Sequence, residues 1–266
     1  MFRKLVVWAA LALLVTAPAG ALGQQPVPRQ ARVVRVAAAS DLQFALGEVV
    51  RAFESRNRDV RVAVAYGSSG TYHAQIVQRA PFDMFLSADM SYPRDLVAKG
   101  LAAQEGAFLY AIGRIVLWVP QGSPLDVERL GMAVLRDGRI RHVAIANPMH
   151  APYGRAAEAA LRKAGILDQV RPKLVFGENV AQAAQFVESG AADIGIIARS
   201  LALAPPMRAK GRYWEIPRDA HPVMEQGGVV LKAARDPEAA NLLRRFLESA
   251  EARTILTTFG FVLPAN

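Results

Sequence analysis

The sequence has no cysteine, which excludes disulfide scaffolds, thiolate nucleophiles, Cys-ligated zinc and iron–sulfur clusters. Its basic residues stand singly or in pairs such as Arg244-Arg245. There is no long cationic run and no aromatic-basic interleaving of the kind that suits nucleic acid, so no nucleic-acid partner is expected. Glycine and proline, at 20 and 16 residues, are too few for a collagen-like or low-complexity chain. Only Leu5 to Thr16 forms an extended uncharged apolar run, and it is shorter than the roughly 20 residues of a spanning helix.

What is present points to a folded, water-soluble chain. Of 266 residues 52% are hydrophobic and 21% charged, enough apolar material for one large or two modest domains. The 32 Lys+Arg and 23 Asp+Glu give a net charge of +9, read here as a solvated basic surface. Arg3 and Lys4, the run Leu5 to Thr16 and the small residues Ala17 to Gly23 follow the order of a signal peptide. Residues 1–23 are therefore expected to direct export to the periplasm, with cleavage near Ala21 or Gly23. That cleavage removes two cations and leaves +7. With no lipobox cysteine, a lipoprotein anchor is excluded.

From Val33 onward, short apolar runs alternate with helical patterns. Val33 to Ala38 reads as a buried strand, and Leu42, Leu46, Val49, Val50 and Phe53 fall on one helix face. Val60, Val62 and Val64 alternate as in a strand. A helix over Thr71 to Arg79, a strand over Met84 to Leu86 and a helix over Ser91 to Ala98, stopped by Gly100, complete a first block. After a long β stretch, Leu109 to Pro120, the rhythm restarts with strands at Val143 to Ala146, Leu174 to Phe176 and Ile194 to Ile197. Helices at Gly154 to Ala164, capped by Gly165, and at Val180 to Ser189 lie between them. A β stretch at Met224 to Leu231 and an amphipathic helix bearing Ala239, Leu242, Leu243, Phe246 and Leu247 follow. The pattern predicts an α/β protein of two lobes joined by two β crossings, with a cleft between them. The expected bounds are 31–111 with 223–266 for one lobe and 112–222 for the other.

Four strand-to-helix junctions share one character: Ser40-Asp41, Gly67-Ser-Ser-Gly-Thr71, Pro152-Tyr-Gly154 and Glu178-Asn-Val180. The first turn of a helix carries unpaired N–H groups and partial positive charge, so each junction offers an anion seat. Ser40, Ser68, Ser69 and Thr71 add hydroxyl donors. Each junction taken alone reads first as an ordinary cap or turn. Four of them at the carboxyl ends of strands can converge on one cleft.

Ala37-Ala-Ala-Ser-Asp-Leu42, Tyr66-Gly-Ser-Ser-Gly-Thr71, Ala80-Pro-Phe-Asp-Met-Phe-Leu-Ser-Ala-Asp89, Tyr110-Ala-Ile-Gly-Arg114 and Phe259-Gly-Phe261 together resemble the periplasmic molybdate-binding proteins of molybdate ABC transporters. The likeness spans about Val33 to Phe261. It implies a two-lobed type II periplasmic binding-protein fold that captures molybdate or tungstate with neutral donors and delivers it to a membrane permease. By position it implies a hydroxyl and N–H from Ser40 and from Ser69, and the backbone N–H groups of Tyr153 and Val180. Molybdenum enters only as its oxyanion, with no protein ligand to a cation and no cofactor. A monomer is expected. The family pattern also carries a tyrosine where Gly195-Ile-Ile-Ala198 ends in alanine, and the hydroxyl of Tyr153 is the expected substitute donor.

Donor-only lining favours a fully ionised oxyanion, because a hydrogen phosphate would bring an O–H needing an acceptor. Sulfate, thiosulfate or a small carboxylate is the alternative ligand, with Arg114 or Arg199 the candidates for a carboxylate. An enzyme would need Ser69 with one of His73, His142, His150 or His221, yet the Gly-Ser-Ser-Gly turn is no nucleophile elbow and no orienting acid is evident. The histidines lack metal-ligand spacing. Asp83 and Asp89 read as structural hydrogen-bonding groups, and Trp118 as packing.

Overall fold

The computed structural model describes residues 31–264; the expected signal peptide lies outside the described residues. Two five-stranded sheets organise the chain. The first contains β1 (Arg32–Ala39), β2 (Val60–Gly67), β3 (Met84–Ser87), β4 (Phe108–Gly113) and β10 (Met224–Val230), in the order β2-β1-β3-β10-β4. The second contains β5 (Ile115–Pro120), β6 (Val143–Ala146), β7 (Leu174–Gly177), β8 (Ile194–Ala198) and β9 (Gly211–Glu215), in the order β7-β6-β8-β5-β9. In each sheet three strands run parallel, and the others pair antiparallel. The two-lobed α/β architecture expected from the sequence is the one observed.

The helices used below are α1 (Gln43–Arg56), α2 (Ser69–Val77), α3 (Ser91–Ala98), α4 (Pro152–Lys163), α5 (Val180–Glu188), α6 (Pro237–Leu247) and α7 (Ala250–Thr258). Strand β1 is apolar throughout its second half because both faces are covered. Val34, Val36 and Ala38 pack with Leu46, Val49 and Phe53 of α1 and with Leu243 of α6, while Ala37 joins Phe85, Val229, Ile76 and Leu96 on the opposite face. Fully covered parallel strands lose the alternation of half-exposed ones and read as continuous hydrophobic runs. The second sheet is enclosed in the same way, with Trp118, Ile145, Leu161, Val187 and Ile197 in one core. Gly100 and Gly165 stop their helices with φ of +71° and +65°, conformations that cost glycine least.

The stretch Leu109 to Pro120 crosses between the sheets as expected, breaking at Arg114 into β4 of the first and β5 of the second. One expectation needs correction. The stretch Met224 to Leu231 does not cross back. It lies inside the first sheet between β3 and β4, and the return passes through the segment between Glu215 and Met224. Apolar periodicity cannot distinguish these cases, since a strand in either sheet is equally apolar.

Candidate functional site

The carboxyl ends of β1 and β2 in one sheet, and of β6 and β7 in the other, lead into the four junctions. Ala39 passes into a 3-10 turn, Ser40–Leu42, that runs on into α1. Gly67 passes through Ser68 into α2. Ala151 precedes Pro152, whose missing N–H suits the first position of α4. Asn179 precedes α5 and accepts from the N–H groups of Ala181 and Gln182. The other three helix starts have no side-chain cap; the N–H groups of Gly70 and Gly154 donate to the carbonyls of His150 and Ala151, while those of Ser69 and Tyr153 stay at the cavity for a ligand.

All four junctions line one cavity, which includes Ser40, Asp41, Ser69, Tyr153 and Val180. Its free volume of about 10 Å³ is far below the roughly 300–1,000 Å³ typical of organic-ligand pockets. No Lys, Arg or His lines it. A larger hollow of about 150 Å³ beside Arg114 and His221 has mainly apolar walls and no such convergence of helix starts.

The hydroxyls divide by where their protons go. Ser40 Oγ accepts from the Ala181 N–H at 3.3 Å, and Ser69 Oγ accepts from the Ala88 N–H at 3.0 Å. As acceptors they keep their own O–H protons for a ligand. Ser68 Oγ instead donates to the carbonyl of His150 at 2.6 Å, and Thr71 is exposed, so neither adds the donor that its residue type suggested.

Tyr153 departs from expectation. Its hydroxyl donates to Asp41 Oδ2 at 2.8 Å, so its single proton is committed to a carboxyl and does not supply the donor missing at position 198. Ala198 is itself fully buried and precedes the short turn Arg199–Ala202. The backbone N–H of Tyr153 is unaffected by this and stays at the helix start.

Asp41 is the group that sequence reasoning passed over as a cap. It is buried at 1% exposure. Burial pushes its carboxyl up to about 7, against the opposing pull of the Tyr153 hydroxyl. Its backbone carbonyl accepts from Ser200 Oγ at 2.8 Å. Behind it runs a buried chain of donors: Tyr110 Oη to Gln226 Oε1 at 3.3 Å, Gln226 Nε2 to Tyr153 Oη at 3.3 Å, and Tyr153 to Asp41. Burial and the nearby Asp41 charge hold both tyrosines well above the ordinary phenol value. The available signal was an acid placed beside a serine at a seat suited to anions, a conflict of charge that asks for an explanation.

Further bonds tie the two sheets across the cleft. Gly70 N–H donates to His150 O at 2.9 Å, and Arg155 pairs with Asp89 at 2.6 Å. The remaining candidates fall elsewhere. Asp83 accepts from Arg35 and from the Arg235 N–H. Arg114 and Arg199 both pair with Glu215, outside the cavity wall. His150 Nδ1 meets Ser68 Oγ, not Ser69, and His73 pairs with Asp95. No group of His, Asp and Glu suited to a metal ion occurs among the described residues, and no helix among them is long and apolar enough to cross a membrane.

The sequence profile of the bacterial extracellular solute-binding proteins matches residues 34–262. The molybdate-binding protein ModA of Rhodobacter capsulatus is 38% identical over 201 residues, covering 76% of this chain and 77% of that protein. ModA of Azotobacter vinelandii is 34% identical over 234 residues, covering 88% and 91%. The solved structure of the Azotobacter vinelandii periplasmic molybdate-binding protein superposes with a TM-score of 0.81 at 31% identity, covering 87% of this chain and all of that one.

Proposed function

Since the chain belongs to the bacterial extracellular solute-binding proteins, in their molybdate-binding branch, we propose that it captures molybdate, and tungstate with it, for an ABC importer. The family is one of binding proteins and not of enzymes. The observation that carries the reading is the convergence of four helix starts and two hydroxyls with uncommitted protons on one small cavity without a basic residue. Ser40 and Ser69 supply hydroxyl and N–H donors, and Tyr153 and Val180 supply backbone N–H donors.

Aimed dipoles in a cavity closed to water replace the hydration shell of a dianion without a fixed counter-charge, and bonds to a charged acceptor are roughly twice as strong as neutral ones. Each lobe carries one sheet, and the chain passes from the first to the second at Arg114, between β4 and β5. The lobes close on the anion, and the closed form is what the membrane permease recognises. The protein acts in the periplasm as a monomer, after removal of residues 1–23 near Ala21 or Gly23.

Titration calorimetry of ligand-free protein against molybdate, tungstate, sulfate, phosphate and thiosulfate tests the reading. One-to-one binding of molybdate and tungstate without a sulfate response is expected. Binding of sulfate or thiosulfate in their place would reassign the ligand while leaving the fold untouched.

A further inference from the structure

Asp41 poses a problem for any anion held in this cavity. It lines the cavity with Ser40 and Ser69, and a carboxylate there would repel the ligand those residues attract. Its Oδ2 accepts from Tyr153, and its buried Oδ1 makes no hydrogen bond of good geometry; the Asp41 and Leu42 N–H groups and the Gln226 amide also favour the charged carboxyl, but burial outweighs them. Leaving a charged oxygen desolvated and unpaired is costly. The donor chain behind it runs in one direction, from Tyr110 through Gln226 and Tyr153 to Oδ2. A proton on Asp41 therefore belongs on Oδ1, where it turns an orphaned acceptor into a donor.

No cation relieves the conflict. Tyr153, Tyr110 and, from β2, Tyr66 are phenols that burial keeps neutral. Arg61, also on β2, bonds to backbone carbonyls of its own segment. On α1, Glu48 and Arg51 pair with each other, Arg56 pairs with Glu251, and Glu54 accepts from the Val62 N–H. Arg199, in the turn packed on Ser40–Leu42, pairs with Glu215, and Glu188 of α5 pairs with Lys210. Arg155 of α4 pairs with Asp89, and Glu178 ahead of α5 faces His150. On β10, Glu225 pairs with Arg94. None of these charged groups bonds to the Asp41 carboxyl.

We propose that Asp41 carries a proton whenever the cleft is closed on an oxyanion, presenting Oδ1–H as a donor of the site, so that each anion is captured together with one proton. The inference rests on the oxyanion-binding reading. With the lobes apart, Asp41 loses Tyr153 and Ser200, faces water and ionises as an ordinary aspartate, near pH 4. Closure removes that hydration, and solvent supplies the proton: carboxylate plus proton becomes carboxylic acid, with no other bond changed. The direction agrees with the raised carboxyl already noted. Bound Asp41 holds its proton more tightly than free Asp41, so affinity is greatest at low pH and falls as pH rises, by about tenfold per pH unit over the range where only the bound form is protonated.

The test is calorimetric titration of the protein with molybdate between about pH 5 and about pH 6.5, in buffers of different ionisation heat. Wild type is expected to take up close to one proton per anion, with the tenfold slope. Asp41→Asn, permanently neutral and still a donor, is expected to bind with neither uptake nor slope. Wild-type binding that is flat in pH without uptake overturns the inference and leaves the oxyanion reading intact, as does an Asn variant that keeps the wild-type slope. Tighter binding of hydrogen phosphate than of molybdate also overturns it, because Asp41 would then be serving as an acceptor. Absence of binding by any tetrahedral oxyanion at every pH removes the oxyanion reading itself, and this inference with it. The wild-type proton count stands whether or not the variant folds.

Discussion

Ser68 Oγ, ahead of α2, lies 2.6 Å from the carbonyl oxygen of His150, and the N–H of Gly70 approaches the same oxygen at 2.9 Å. One acceptor ahead of α4 thus receives two donors from the opposite sheet. The contact depends on the absence of a side chain at position 70: a Cβ there would stand 2.5 Å from that oxygen and 2.8 Å from the Tyr92 hydroxyl. Gly70→Ala should hold the lobes apart, lowering molybdate affinity by about tenfold or more with little change in melting temperature. Calorimetry and the radius of gyration in solution, with and without molybdate, check this. Unchanged affinity and normal compaction would show that this contact does not define closure.

The two serines should separate in stability though not in affinity. Ser40→Ala and Ser69→Ala are each expected to weaken molybdate binding by about 1 to 3 kcal/mol. The Ala181 N–H, which donates to Ser40 Oγ, also reaches Asn179 Oδ1 at 3.0 Å, so Ser40→Ala leaves it satisfied and the fold unharmed. Ser69→Ala strips the Ala88 N–H of its side-chain acceptor, and should lower unfolding stability by about 1 kcal/mol as well. Denaturant titration of the ligand-free variants distinguishes the pair.

Tyr153→Phe interrupts the buried chain between Gln226 and Asp41. Asp41 Oδ2 and Gln226 Nε2 each lose a partner, and a loss of about 1 to 3 kcal/mol in unfolding stability is expected. The carboxyl, deprived of the hydroxyl that pulls it down, should rise further. Carboxyl-carbon NMR titration would report that shift, and a fall in its titration midpoint would contradict the assigned role of the hydroxyl.

Asp83 gives the opposite pH response. Burial alone would raise its carboxyl, but hydrogen bonds from the Arg35 guanidinium and from the backbone N–H groups of Arg235 and Arg35 outweigh burial and hold it below the ordinary value. A carboxyl depressed in the folded state contributes stability that is complete above the unfolded value, near 4, and is lost as pH falls through the folded one. Asp83→Ala should cost about 1 to 3 kcal/mol at neutral pH by leaving the Arg35 and Arg235 N–H groups without their acceptor. Asp83→Asn should lose less stability than wild type between about pH 5 and about pH 3. Equal acid sensitivity would place the controlling carboxylate elsewhere.

Helices and strands with one covered face were legible from spacing, as at Leu46, Val49 and Phe53. The four junctions were legible because glycine, serine and proline have local reasons to start a helix. The crossing after β4 was legible but its break at Arg114 was not, since Tyr110-Ala-Ile-Gly113 and Ile115-Val-Leu-Trp118 are equally apolar and their strand partners are a long-range matter. Proton direction was equally out of reach. Ser68 and Ser69 are neighbours of one residue type, yet only the structure shows that one hydroxyl donates to protein and the other accepts from it. The burial of Asp41 beneath Tyr153 is set by closure, to which no local pattern refers.

The place of β10 carries a consequence for how the chain acquires its shape. Residues 224–230 form the strand between β3 and β4, so the first sheet includes a member encoded after the whole of the second sheet. During synthesis the second sheet, contiguous from Ile115 to Glu215, can assemble first. The earlier-made β3 and β4 must wait with open edges, and α6 and α7, which complete their cover, emerge later still. Pairing across such a sequence gap is slow to form. A nascent chain of this topology stays incomplete until it is nearly full length, which favours passage through a translocation channel before folding and makes those waiting edges the point where aggregation would begin.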